Sequence, residues 1–290
     1  MPSTDSASAS AMTSQQDKPV VRGVTLFVAL AVAALSFRAV EPFMTSTRGV
    51  AGPLVVDSER PAVAAIAILV AFGVVSAAAA LVGRLVNAVV GIFVLGTGVG
   101  YLAMRCGSSV DFCFGGSSIL AAGIELVAWT ALVAAGSHLV YKVGGRLTDI
   151  PLTGEDDLDA PAGRAARKAW SAALAGVAVA WLAAATASKG QAIGAATLAG
   201  FATGAIGRMI SPRTTPVYLA AAPVAAFAAL FLYLGFTTKG DLAAGYAEGA
   251  LNSGLGRFLR LMPVDIAAGA LCGTSLGFGF MRSFAAQDDA

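Results

Sequence analysis

Long apolar runs separated by short polar breaks set the pattern of this chain. A helix needs roughly 20 largely apolar residues to cross a hydrocarbon core about 30 Å thick. Runs of that kind lie at 21–37, 61–82, 88–104, 117–141, 169–187, 191–210, 216–236 and 263–281. The stretch 61–104 is too long for one crossing. Its only polar point is Gly83-Arg84-Leu85-Val86-Asn87, which predicts a tight turn there, with Arg84 snorkelling to the headgroups. Pro61 sits at a natural helix start. Pro223 falls within the seventh run, where neighbouring helices must satisfy the carbonyl it frees.

The segment 239–262 reads differently. Leu242, Tyr246, Leu251, Leu255, Phe258 and Met262 recur at near-helical spacing, with Arg257 and Arg260 off that line. Such a segment lies in the membrane interface rather than crossing it. A re-entrant segment is the alternative, favoured by its glycines.

The pattern therefore predicts an all-α, polytopic transmembrane helix bundle of about eight spans, built as two four-helix halves. Residues 1–20, rich in Ser, Thr and Ala, read as a disordered cytoplasmic tail. The first half is 21–141 and the second 169–283, joined by a charged cytoplasmic connector, 142–168. A short tail, 284–290, closes the chain. The first apolar run is followed by Ser36-Phe37-Arg38, not a small-x-small cleavage site, so it reads as a span rather than a cleaved signal.

Composition supports lipid as the main solvent and partner. The 290 residues are 57% hydrophobic and 12% charged, about half the charge usual in a soluble domain. The net charge of +2 and the lack of a basic stripe with interleaved aromatics exclude a nucleic-acid partner.

Orientation follows from Lys and Arg near the span ends. With the N-terminus inside, the 19 basic residues divide eleven inside to eight outside, which favours both termini in the cytoplasm of a bacterial inner membrane. That topology puts Cys106 and Cys113 outside, where disulfides persist. The six residues between them can close such a loop; two unpaired thiols at a helix end is the alternative.

Candidate chemistry is sparse. Glu125 lies about eight residues into the fourth span, about 6 Å from the midplane. An ionisable group there is a functional candidate. Its helical neighbours Ala121, Ala122, Ala128 and Trp129 are mostly small, so the competing reading is a protonated acid hydrogen-bonded across a helix interface. His138, the only histidine, is thirteen residues on, about 20 Å in rise and on another face, so it does not pair with Glu125.

Gly273-Thr274-Ser275-Leu276-Gly277 matches G-x-S-x-G but lies inside an apolar helix, without a base in reach. Small-residue packing explains it. Thr97-Gly98-Val99-Gly100-Tyr101 has the wrong order and context for a potassium filter. Asp265 follows Pro263 and complements the helix dipole of the last span. With Arg257 or Arg260 it could form an outer gate or an anion-binding edge. No metal or cofactor motif is present, and neither is expected.

Gly96/Gly100, Gly200/Gly204 and Gly269/Gly273/Gly277 form small-xxx-small faces. They let helix backbones approach closely, either within a compact bundle or between chains.

The stretches NAVVGIFVLGTGVGYLAMR and MPVDIAAGALCGTSLGFGFMRSF are similar to uncharacterised polytopic membrane proteins of GC-rich bacteria. The resemblance covers about a fifth of the chain and implies no activity. Three functions follow from the residues, in falling order. The first is a membrane-embedded structural or accessory subunit that binds other membrane proteins or itself. The second is a small-molecule or ion transporter using Glu125. The third is an intramembrane enzyme using Ser275 or Glu125.

Overall fold

A computed structural model describes residues 19–145, 162–210, 215–238, 240–252 and 254–285. Most of the tail 1–20, the centre of the connector 142–168 and the end of the tail 284–290 lie outside them. Among the described residues there is no strand, only two isolated bridges (Thr45 with Ala51, Ser46 with Ser58).

The long helices are α1 (Pro19–Arg38), α2 (Pro61–Leu85), α3 (Ala88–Arg105), α5 (Ile119–Gly144), α6 (Ala162–Ala183), α7 (Lys189–Ile210), α8 (Pro216–Thr237) and α10 (Pro263–Ala285). Two short helices, α4 (Ser109–Phe114) and α9 (Leu242–Ala247), lie in the connections. Seven of the described helices are long and apolar enough to cross a membrane. α6 is not among these seven. The protein is thus a multi-pass, all-α membrane bundle.

Local chemistry explains the breaks. Between α2 and α3 only Val86 and Asn87 are non-helical, and the Asn87 side chain accepts from the Val89 amide at 2.8 Å, capping α3. The turn is this tight because Gly144 of α5 packs against Gly83. Ser118 caps α5 through the Leu120 amide, and Ser108 with Asp111 forms a capping box on α4. The helix α8 runs through the buried Pro223 without ending.

The two halves are interleaved rather than separate. The last helix, α10, packs against α7 on one side and α3 on the other, and α5 packs against α8. Glycines make these contacts. A Cβ on Gly200 would lie 2.5 Å from the Gly269 carbonyl oxygen, and one on Gly277 would lie 2.6 Å from the Phe201 carbonyl oxygen. On Gly204 it would lie 2.8 Å from the Thr274 carbonyl oxygen, and on Gly96 2.7 Å from the Cys272 amide nitrogen. Cβ atoms on Gly269 and Gly273 would collide with the backbone of Ala196 and Thr197. Of the expected packing glycines only Gly100 is loose, with Ala268 Cβ at 3.9 Å.

The helix directions place the connections 39–60, 106–118, 184–188 and 238–262 at one end of the bundle. The start of α1 and the end of α10 lie at the other. The segment 239–262 is not one amphipathic helix. It breaks into α9 and two 3-10 turns, Ala250–Asn252 and Gly254–Arg260, because Gly249 (φ +80°) and Gly254 (φ +55°) adopt left-handed backbone. It folds into the bundle end and buries Leu251, Phe258, Leu259, Leu261 and Met262. Phe258 packs edge-on against Phe227, 5.8 Å between centroids. Phe227 is ten residues inside the end of α8, about 15 Å along its axis.

Two substitutions separate the tight contacts from the loose one. Gly273→Ala forces α10 off α7 and costs about 1–3 kcal/mol or more in unfolding free energy. Gly100→Ala is neutral or stabilises by up to about 1 kcal/mol through helix propensity. Denaturant unfolding in mixed micelles reads both.

Candidate functional site

Glu41, Glu125, Lys189 and Asp265 gather at the loop-rich end, around Cys106. Glu125 is there, in the second turn of α5. Gly136 of α5 packs on Leu95 of α3, and Gly91 of α3 on Val140 of α5. This antiparallel register carries Glu125 to the level of Arg105 and Cys106. The offset arises because α5 has 26 residues, about 39 Å, against 18 in α3, about 27 Å. The first turns of α5 therefore project past α3.

The Glu125 carboxylate is engaged on both oxygens. Oε2 accepts from the Val55 amide at 2.7 Å, and Oε1 accepts from Trp129 Nε1 at 3.3 Å. Val55 opens the 3-10 turn Val55–Asp57 in the connection between α1 and α2. Asp57 in turn accepts from Ser117 Oγ at 2.7 Å, just before α5. Burial raises the Asp57 carboxyl above its ordinary range, opposed by that hydroxyl. The two acids thus pin one extra-helical turn onto the start of α5. Of the helical neighbours of Glu125 expected from the sequence, Ala122 and Trp129 are buried, and Trp129 itself is a partner.

Asp265 makes a second clamp. It is fully buried, and its Oδ1 lies 2.8 Å from Lys189 Nζ at the start of α7. Its Oδ2 accepts from the Met262 amide at 3.1 Å. Lys189 also donates to the Gly107 carbonyl at 2.9 Å. One ammonium therefore ties α7, α10 and the α3–α4 connection. Glu41 makes a third: Arg105 Nε donates to it at 3.2 Å, and Arg38 pairs with it.

Cys106 lies among these groups. Burial pushes its thiol up to about 12, and Asp265, Glu125 and Glu41 push the same way while Lys189 opposes them. Cys113, in α4, is pushed up to about 11 by burial. Both are free thiols, so the pairing anticipated from their spacing is not formed.

Arg257 and Arg260 do not join Asp265, which has taken Lys189 instead. Arg260 is 5% exposed. It donates to the Ala184 carbonyl at 2.7 Å and to Asn252 Oδ1 at 2.5 Å. Arg257 stacks over the Trp181 ring at 4.8 Å, and the Trp181 indole donates to the Gly254 carbonyl at 2.8 Å. Burial, and then Arg257, lower the Arg260 pKa.

Two cavities open at this end. One, of about 300 Å³, is lined by Ala185, Thr186, Ala187, Tyr246, Leu251, Asn252 and Arg260. The other, of about 270 Å³, lies between the start of α5 and the end of α8 beside Cys113 and Ser117. Glu125 lines neither.

The remaining sequence candidates stay apart. Ser275 donates to the Cys272 carbonyl at 2.7 Å within α10, and His138 is exposed near the opposite end of α5. Among the described residues no three His, Cys, Asp or Glu side chains gather as a metal site. Sequence reasoning missed Lys189 as the partner of Asp265, and the Val55 amide as that of Glu125. Lys189 was readable as a charge at a helix start; a backbone amide leaves no signature.

Compared with known proteins, the chain matches no family model, no curated protein and no solved structure.

Glu125→Ala leaves the Val55 amide without its acceptor and costs about 1–3 kcal/mol, read by thermal unfolding in detergent. Glu125→Gln keeps an acceptor and costs less. The cysteines give a second check. At pH 8 a thiol titrating near 12 is thiolate in about one molecule in ten thousand. Folded protein therefore leaves Cys106 unmodified by iodoacetamide. Denaturation without reductant exposes all three cysteines to it, giving three adducts by intact mass.

Proposed function

We propose that this protein is a membrane-embedded accessory subunit that binds a transmembrane helix of another membrane protein. The observation that supports this is a glycine face left uncovered. Gly96, Gly200, Gly204, Gly269, Gly273 and Gly277 are all consumed inside the bundle. Gly190 and Gly194 on α7 are not. A Cβ on either would meet nothing within 4 Å, and both are exposed, with the half-exposed Leu198 one turn further on. Two glycines at i and i+4 on an apolar helix surface allow a second helix backbone to approach closely.

The transport reading loses support from the same geometry. Glu125 is occupied by Val55 and Trp129, and Asp265 by Lys189 and Met262, so each acid already has a holding task. The membrane we assign is the bacterial inner membrane, with both termini cytoplasmic. The bias of basic residues supports this, and the start of α1 and the end of α10 share one side of the bundle.

Extraction into mild detergent, followed by size-exclusion chromatography with light scattering, tests the proposal. The wild-type chain is expected in a discrete complex with another membrane protein. Gly190→Leu combined with Gly194→Leu is expected to release a monomer of unchanged melting temperature. A wild-type monomer with no co-purifying chain contradicts the reading.

A further inference from the structure

The sequence allowed Asp265 with Arg257 or Arg260 as an outer gate or an anion-binding edge, and in the structure neither arginine pairs with Asp265. Asp265 spends its charge on Lys189, 2.8 Å away. Arg260 is left buried with two neutral acceptors, the Ala184 carbonyl and Asn252 Oδ1. Among the described residues no carboxylate pairs with either arginine; the three ion pairs seen there use Arg38, Arg105 and Lys189. Arg257 is close enough to act on the charge of Arg260, and its own Nε is buried without a hydrogen-bond partner.

A buried cation without a counterion is costly, and two close together repel. The arrangement persists at lower cost when an anion joins it. The cavity of about 300 Å³ is where one can. Arg260 forms part of its wall, Tyr246 and Asn252 add polar groups, and Thr186 and Asn252 are exposed on it. A guanidinium presents five donors in a planar fork, of which the two bonds to Ala184 and Asn252 use two. The fork fits the oxygens of a phosphate. The volume exceeds one phosphate and leaves room for the group that carries it.

We propose that this cavity binds a single phosphate group, held by Arg260 with Arg257 reinforcing the field. The phosphate comes from a phospholipid headgroup or from free phosphate in the adjoining water. The Trp181 and Tyr246 rings beside the arginines have the amphipathic character found at headgroup level. This inference is independent of the glycine face on α7.

The test uses the full chain purified in a neutral detergent and two probes. Inorganic phosphate is titrated against chloride at matched ionic strength, with melting temperature as the readout. Phosphatidylglycerol is titrated against phosphatidylcholine, with one-to-one retention in native mass spectrometry as the readout. A response to phosphate alone assigns the soluble source, and a response to phosphatidylglycerol alone assigns the lipid; either supports the site.

Arg260→Gln is expected to weaken binding about tenfold or more, the loss of one charged hydrogen-bonding group. Because Arg260 also braces Ala184 and Asn252, that variant can fail to fold. Arg257→Gln, which removes the second charge and its stack on Trp181 but no hydrogen bond to Ala184 or Asn252, and Ala187→Leu, which fills the cavity, keep the test decisive. Both are expected to weaken binding with folding retained. Failure of both probes to exceed their controls overturns the proposal, as does equal binding by wild type, Arg257→Gln and Ala187→Leu.

Discussion

Backbone-to-backbone contact along α10 is the constraint on which the rest of this bundle depends. Lipid tails are as apolar as the side chains, so burying apolar surface does little to bring membrane helices together. Close packing must do it. Gly269, Gly273 and Gly277 let α10 lie against α7, while Gly96 lets α3 lie against the opposite side at Cys272. One helix from the second half of the chain is thereby fixed to one from each half. The α5–α8 contact, through Gly123 and Gly235, closes the bundle in the same way.

That packing fixes where the charged groups can go. The helices differ in length, so their ends at the loop-rich side are staggered, and the short connections fill the steps. Extra-helical backbone at a partly buried end needs acceptors and donors. Glu125 supplies one to Val55, Asp265 supplies one to Met262, and Lys189 donates to Gly107. The ionisable side chains here solve a problem that the helix stagger creates. Charges that hold backbone in place have little freedom to carry a proton or an ion across.

The spans were legible because hydropathy and length are properties of a single run of sequence. The α2–α3 turn was legible because Arg84 and Asn87 were the only charged or amide side chains in more than forty residues. The tight glycine faces were visible as spacings, but whether they met within the chain or between chains was not. The neighbours of Glu125 were not legible, because its own apolar run says nothing of the helices beside it. The position of an α5 residue depends on where α3 and α8 end beside it. Lys189 and Asp265 are 76 positions apart, and only the parallel packing of α7 and α10 brings their first turns together. In 239–262 the apolar spacing was real, yet Gly249 and Gly254 turn the backbone and break the helix that the spacing suggested.

The claim that ties these observations together is that Glu125 holds the 3-10 turn at Val55, acting as a structural acceptor. Hydrogen–deuterium exchange across residues 52–58, with the protein in lipid nanodiscs, tests it most directly. The account predicts that the Val55 amide exchanges slowly, as a hydrogen-bonded amide inside a helix does. Exchange at the rate of an unstructured loop would contradict it and return Glu125 to the list of groups free for other work.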